Sequence, residues 1–181
     1  MCPWWIGYLL ASPVRRLWQQ PRSIVGPYVV EGMTVLEPGP GMGFFTLELA
    51  RLVGPSGRVV AVDVQPRMLS ALRRRARRAG LLERIDTRRA GPGGMGIVDL
   101  AGKVDFALAF AMVHEVPDPV VFFREVSASL KPGGKLLLAE PRGHVTASAF
   151  AATLELAAQA GLRAEPGPAI GGSRAAVLAR T

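Results

Sequence analysis

The apolar residues of the chain alternate between two patterns, and this alternation predicts the fold. Nearly continuous apolar runs, such as residues 104–110, are typical of strands buried on both faces, whereas apolar positions every three to four residues indicate amphipathic helices. The predicted strands lie at 33–37, 58–64, 84–90, 104–110, 135–141, 162–167 and 173–180, and the predicted helices at 43–54, 66–80, 118–134 and 146–161.

Repeated strand–helix units predict an α/β fold with a doubly wound, mostly parallel, seven-stranded sheet of the Rossmann-like type. The short link between the last two strands predicts an antiparallel hairpin at the end. Residues 31–181 would form this domain, and residues 1–30 an N-terminal helical and aromatic segment.

Three glycines follow the first predicted strand, in the stretch VLEPGPGMG. Glycine weakens regular structure, so Gly39, Gly41 and Gly43 at a strand–helix junction favour a backbone that a ligand can approach closely. Asp63 follows Gly43 by twenty residues, at the end of the next strand, where a carboxylate binds the hydroxyls of a ribose. The pattern therefore predicts a ribose-containing cofactor.

The acidic residue of the loop favours a cationic cofactor over a dinucleotide. Dinucleotide loops usually read G-x-G-x-x-G and leave room for a pyrophosphate, whereas this loop reads E-P-G-P-G-M-G. Glu37 would repel a pyrophosphate and would attract an ammonium or sulfonium group.

Four segments, in order, resemble the class I S-adenosylmethionine-dependent methyltransferases: VLEPGPGMG, AVDVQPRML, DFALAFAMVHEVPDP and LKPGGKLLLAEP. The resemblance covers about residues 30–181 and is greatest to small-molecule enzymes of the ubiquinone and menaquinone biosynthesis type. It implies that S-adenosyl-L-methionine is the cofactor. It also implies a set of cofactor-binding residues: Glu37, Gly39, Pro40, Gly41, Gly43, Asp63, Val64 and Phe110. The segment RRAGPGGMG lacks the acidic residue that many members place near the adenine.

Both histidines follow predicted strands, at the edge of the sheet where ligands of such folds bind. His114 and His144 are the candidate catalytic residues, since a base is required only if the acceptor arrives protonated. His114 as a local cap and His144 as an exposed loop residue are the alternatives. Met112 and Arg142 are candidate substrate-binding residues, and Glu140 is expected to pair with Arg142 or to contact a ligand.

The N-terminal segment carries an aromatic helical face. Trp4, Trp5 and Tyr8 would cover a small acceptor as a lid and exclude water from it. Packing against the sheet, a dimer contact and peripheral binding to a membrane surface are the alternatives.

Composition narrows the classes of partner. The net charge is +8, but 19 of the 22 basic residues are arginine, a bias that favours a GC-rich genome over selection for phosphate contacts. The cluster Arg73–Arg78 interrupts an amphipathic helix and is interpreted as a solvated face. A single cysteine and two distant histidines disfavour a metal site. A cytoplasmic monomer or homodimer is expected, without an export signal.

The sequence thus predicts an enzyme that methylates a small molecule by in-line displacement. A methyltransferase acting on tRNA or rRNA is a second hypothesis, which the positive charge supports and the absence of an added RNA-binding domain disfavours. A non-catalytic regulatory protein that binds S-adenosylmethionine is a third. The sequence leaves open the acceptor and whether oxygen, nitrogen, carbon or sulfur is methylated.

Overall fold

The computed structural model describes residues 20–181 of the chain. The predicted aromatic face with Trp4, Trp5 and Tyr8 lies outside the described residues. The chain divides into two compact units, one up to Gly96 and one from Ile97 to Thr181.

The first unit alternates short helices with three parallel strands. Strands β1 and β2 pair in the register Leu36↔Val60, and β2 pairs with β3 in the register Ala61↔Thr87. The central residues of β1 and β2 are completely buried, as the continuous apolar runs predict. The elements are α1 (Pro21–Val25), β1 (Thr34–Pro38), α2 (Thr46–Leu52), β2 (Arg58–Asp63), α3 (Pro66–Arg78) and β3 (Ile85–Arg89).

The second unit contains four strands and two α-helices, with a 3₁₀ turn directly after its first strand. Strand β4 is parallel to β5, whereas β7 is antiparallel to both β5 and β6. The elements are β4 (Val104–Phe110), the 3₁₀ turn (Val113–Glu115), α4 (Pro119–Ser129), β5 (Leu130–Pro141), α5 (Ala147–Gln159), β6 (Leu162–Pro166) and β7 (Ser173–Arg180).

The predicted fold class is confirmed: the strands form a mostly parallel seven-stranded sheet with an antiparallel last hairpin. None of the helices between residues 20 and 181 combines the length and the apolar character that a bilayer crossing requires.

One predicted boundary is wrong. The helix predicted at 118–134 ends at Ser129, and β5 already begins at Leu130. Lys131 precedes Pro132, and a residue before proline is disfavoured in the α conformation. The register of the β4–β5 pair shifts over this segment, since Val104 pairs with Leu130 but Phe106 pairs with Lys135.

Candidate functional site

The glycine loop after β1 has a backbone that other residues would not adopt easily. Gly39, Gly41 and Gly43 have φ angles of 66°, 55° and 84°, in the left-handed region. At Gly43 an added Cβ would lie 2.4 Å from Cδ1 of Leu72, a fully buried side chain. At Gly41 an added Cβ would meet no atom within 4 Å. The backbone at Gly41 therefore borders open space, as the sequence predicts for a ligand-binding loop.

Helix α3 holds this loop in place. The guanidinium of Arg75 donates a hydrogen bond of 2.5 Å to the carbonyl oxygen of Met42. The side chain of Met42, in the loop, is buried together with Met68 and Ala71 of α3. The prediction that the basic cluster is only a solvated face is thus wrong for Arg75, which is half-buried and fixes the loop.

Glu37 lies at the end of β1 with 3% of its surface exposed, directly before the loop. Its Oε2 atom has no hydrogen-bond partner among the described residues, and neither has Oγ1 of buried Thr46. Burial is the main cause that raises the pKa of Glu37 from 4.5 to about 8, and repulsion by Asp63 adds to it. Thr46 is near enough to lower this pKa somewhat, but the orphaned atoms show that the geometry does not complete a hydrogen bond.

Two buried oxygen atoms without partners are unusual, because an unsatisfied buried polar group destabilises the folded protein. A carboxylate and a hydroxyl side by side can both accept hydrogen bonds from an ammonium group. These two oxygens therefore fit the amino-acid end of S-adenosylmethionine, with Glu37 ionised when the cation binds.

Thr46→Val provides a test of this interpretation. Valine has nearly the shape of threonine without the orphaned hydroxyl, so we expect the free protein to gain about 1 kcal/mol of stability and to bind S-adenosylhomocysteine more weakly. Thermal unfolding and calorimetric titration measure the two effects. Thr46→Ser is the matched control, because it keeps the hydroxyl and should retain binding. The assignment would be contradicted if Thr46→Ser bound S-adenosylhomocysteine more weakly while Thr46→Val bound it normally.

Asp63 ends β2 with 9% of its surface exposed. Its Oδ1 accepts a hydrogen bond of 2.8 Å from the backbone N–H of Gln65, which orients the carboxylate. The next residue, Val64, is an exposed apolar side chain with 49% of its surface accessible. A ribose bound to the nearly buried Asp63 and an adenine covering the exposed Val64 would be consistent with these two exposed fractions.

The second unit brings a carboxylate and an imidazole together. Glu140, near the end of β5, accepts a hydrogen bond of 2.7 Å from the backbone N–H of Val113 and a second, short one from Nδ1 of His114. The glutamate side chain is 2% exposed and the histidine side chain 21%. Because an ionised carboxylate only accepts hydrogen bonds, Nδ1 carries the hydrogen, and in the neutral ring Nε2 then has the lone pair. His114 thus has the arrangement of a general base.

His144 lies beside His114, in the turn after β5. The two rings meet edge to face, with their centroids 5.5 Å apart. The backbone N–H of His144 donates to the carbonyl of Pro141 over 3.0 Å, which fixes the turn. The sequence therefore identified two histidines that the fold does bring together.

The predicted pair of Glu140 with Arg142 does not form. The Nε atom of Arg142 donates instead to the carbonyl oxygen of Ser173, over 3.1 Å. The carboxylate prefers His114 because the 3₁₀ turn presents both this ring and the Val113 amide to it. Arg142 is exposed, and it lines a cavity in the second unit.

The end of β4 carries the remaining predicted residues of this unit. Phe110 and Met112 are both half-buried, and they flank Ala111. Ala111 has a φ of 55°, which is unusual for a residue other than glycine. Its N–H donates to the carbonyl of Ala139 over 2.7 Å, so the strained residue redirects the chain directly after this backbone hydrogen bond to β5.

Three residues of these sites were missed by sequence reasoning. Thr46 is a polar position within the apolar run FFTLELA, but the sequence does not show that its hydroxyl is buried without a partner. The contact of Arg75 with the loop and the place of Arg174 in the cavity wall depend on tertiary structure. Among residues 20–181 no cluster of three or more acidic, histidine or cysteine side chains could hold a metal ion.

A family model described as a methyltransferase domain matches residues 30–166 of the chain. A ubiquinone/menaquinone biosynthesis C-methyltransferase UbiE from Pasteurella multocida is 31% identical over 132 residues, which are 73% of this chain and 48% of the relative. The protein of the same name from Hahella chejuensis is 32% identical, over 73% of this chain and 52% of its own length. The chain spans about half the length of these curated relatives.

Solved structures share the fold. A SAM-dependent methyltransferase from Aquifex aeolicus superimposes with a TM-score of 0.89 and 22% identity, over the full length of both chains. A SAM-dependent O-methyltransferase from Thermotoga maritima gives a TM-score of 0.70 at 19% identity, over 95% of this chain and 71% of its own. At these identities the likeness shows the fold alone.

Proposed function

The chain belongs to the class I S-adenosylmethionine-dependent methyltransferases, and we propose that it transfers a methyl group to a small-molecule acceptor by in-line displacement. The observation that carries the proposal is the pair of unpartnered buried oxygens, on Glu37 and Thr46, beside a left-handed glycine loop. A site with these features suits a cationic amino-acid group and does not suit a pyrophosphate.

The first unit contains the residues for the cofactor. Glu37 and Thr46 would accept hydrogen bonds from its ammonium group, and the backbone from Gly39 through Pro40 to Gly43 would follow its amino-acid portion. Asp63 would hold the ribose hydroxyls, and Val64 would contact the adenine. When bound, S-adenosylmethionine supplies an electrophilic methyl group on a sulfonium. The chain's own residues position it and exclude water.

The second unit contains the residues for the acceptor. His114 would take a proton from a hydroxyl, amine or acidic carbon at its Nε2 atom, while Glu140 stabilises the resulting imidazolium. His144, packed edge-on against this ring, and Met112, beside Ala111, would contact the acceptor. The aromatic residues Trp4, Trp5 and Tyr8 remain a predicted lid.

The RNA hypothesis is weaker, because part of the basic cluster on α3 has other contacts. Arg73 donates to the hydroxyl of Thr87 over 2.6 Å, and Arg75 holds the glycine loop.

Calorimetric titration with S-adenosylhomocysteine tests the cofactor assignment, with NAD as the comparison ligand. We expect micromolar binding, about −8 kcal/mol, and no heat with NAD. Two matched variants locate the site. Gly41 and Gly80 have similar φ angles, of 55° and 66°, and neither Cβ would meet an atom within 4 Å. We expect Gly41→Ala and Gly80→Ala each to lose about 1 kcal/mol of stability, but only Gly41→Ala to weaken binding, by about tenfold or more.

Equal affinities of the two glycine variants would mean that the ligand does not lie against the loop. Binding of NAD in place of S-adenosylhomocysteine would overturn the cofactor. With binding established, a panel of phenols, quinols, amines and carboxylic acids, assayed for methyl transfer, would identify the acceptor class. Methylation of transfer RNA with all small molecules inert would support the RNA hypothesis instead.

A further inference from the structure

A cavity of about 560 Å³ opens in the second unit, within the size range of small-molecule sites. Its walls come from the turn after β5, the first turns of α5 and the loop that joins β6 to β7. All lining residues belong to this unit. Those used below are Arg142, Phe150, Ile170, Gly171, Gly172 and Arg174.

Two arginines supply the charge of this cavity. Arg142 donates one hydrogen bond, from Nε to the carbonyl of Ser173, over 3.1 Å. Arg174 donates one from Nε to the carbonyl of Val145, over 3.2 Å. A guanidinium has five N–H donors, so both keep their terminal N–H groups for further partners. Among residues 20–181 neither forms an ion pair.

The acidic residue nearest to these arginines in strand register, Glu140, forms no ion pair with them. Glu140 is the strand partner of Arg174 in the β5–β7 pair, so their side chains emerge on the same face. Both carboxylate oxygens of Glu140 are already bonded, one to Val113 and the other to His114. The cavity therefore keeps two guanidinium groups with which no carboxylate among residues 20–181 forms an ion pair.

The floor of the cavity is apolar. Phe150 and Ile170 line it, with 9% and 7% of their surfaces exposed, so each presents a small area to the cavity. The backbone at Gly171 and Gly172 forms part of the rim, where an added Cβ would meet nothing within 4 Å. An apolar floor below guanidinium groups suits a molecule with an apolar body and one anionic group.

The location links this cavity to the histidine pair. Arg142 and His144 belong to the same turn, and the Nε bond of Arg174 to Val145 holds that turn from β7. An anion between the arginines would lie beside the turn that presents His144, whose ring packs against His114.

We propose that this cavity binds the anionic group of the methyl acceptor, a carboxylate or a phosphate on an apolar body. This inference rests on the proposed function, which it deepens: the acceptor is an organic acid, and Arg142 and Arg174 select it. Forked donors match both carboxylate and phosphate oxygens, so either group is recognised by the same chemistry.

The experiment titrates the whole protein with benzoate, phenyl phosphate and neutral benzamide, following the backbone amide signals of Gly171 and Gly172 by NMR. We expect saturable shifts with the two anions and none with benzamide, and weakening of the anion effects by added salt. A larger affinity for phenyl phosphate identifies a phosphorylated acceptor, and a larger affinity for benzoate a carboxylic acid. Equal shifts with benzoate and benzamide would overturn the proposal.

Variants separate recognition from structure. We expect Arg142→Gln and Arg174→Gln each to weaken anion binding by about tenfold or more, while Arg142→Lys and Arg174→Lys keep the charge and lose less. Arg124→Gln is the control, since this exposed arginine of α4 lies outside the cavity. Anion binding that survives both glutamine substitutions would contradict the assignment.

Titration of the same samples with S-adenosylhomocysteine distinguishes two failures. Cofactor binding without anion binding would contradict the proposed anion site but would leave the methyltransferase assignment unchanged. Loss of cofactor binding in the unaltered protein would overturn the proposed function itself.

Discussion

Binding of S-adenosylhomocysteine should tighten about tenfold for each unit of pH between about 6 and 8 and should level off above that. The reason is the buried carboxyl of Glu37, whose pKa burial raises to about 8 in the free protein. At neutral pH this group is mostly protonated, whereas the ammonium of the ligand requires it ionised. Each binding event therefore releases nearly one proton to the solvent.

Calorimetry at pH 7 in buffers of different ionisation enthalpy would count this proton. Glu37→Gln should abolish both the proton release and the pH dependence, because an amide does not titrate. It should weaken binding about 10- to 100-fold at pH 8, the range for a charge-assisted hydrogen bond, and much less at pH 6. A pH-independent affinity in the unaltered protein would mean that the ligand's cation does not meet Glu37.

In the free protein the same carboxyl has the opposite effect, because it lowers the stability of the fold as the pH rises. Its pKa is 4.5 in the unfolded chain and about 8 in the folded one, so the folded state binds more protons within that window. The stability that this adds is complete below pH 4.5 and is lost as the pH rises to about 8, by roughly 1.4 kcal/mol per unit. In urea titrations, Glu37→Gln should remove this dependence of the unfolding free energy on pH. Saturating ligand should reduce it in the unaltered protein.

The first unit was largely predictable from the sequence, because its features are local. Glu37, the glycines and Asp63 all lie at strand ends or in the turns after them, and apolar runs place the strands. Thr46 was missed for a related reason: its hydroxyl becomes unusual only once the fold buries it beside Glu37. The sequence shows a polar residue in a helix, but it does not show that the hydroxyl of this residue has no hydrogen-bond partner.

The second unit shows where local reasoning fails. The histidines were identified by their position after strands, but the partner of His114 depends on the register of β4 against β5, in which Phe110 pairs with Ala139. That register brings together residues 26 apart in the sequence. Arg142, the nearest basic residue along the chain, was the natural guess for Glu140. The antiparallel pairing of β5 with β7 instead places the carbonyl of Ser173 within its reach.

Glu140→Gln should lower the rate of methyl transfer by about 10²- to 10⁴-fold, the range for a lost general base, with a much smaller effect on cofactor binding. The carboxylate accepts a hydrogen from Nδ1 of His114 and so leaves the lone pair on Nε2. Glutamine can still accept the Val113 N–H with its amide oxygen, but its NH₂ group would then donate to Nδ1. The hydrogen of the ring would move to Nε2, and the base would be lost although every ring atom remains.

Nitrogen NMR of the imidazole tests this tautomer without knowledge of the acceptor. We expect the Nδ1–H form in the unaltered protein and the Nε2–H form in Glu140→Gln. Methyl transfer to the acceptor found by the panel would then be measured for Glu140→Gln, His114→Gln and the double variant. Because the two residues act as one unit, we expect the double variant to be little slower than either single variant.

The pH–rate profile distinguishes a base from a structural support. A general base gives a pH–rate profile with a rising limb, and His114→Gln should remove that limb along with most of the rate. His144→Phe keeps a ring against His114 and is the matched control, which should retain the limb. If Glu140→Gln changes the tautomer but leaves the rate intact, the acceptor reaches the site without a proton to lose. His114 would then be a positioning residue, and methyl transfer would depend on orientation alone.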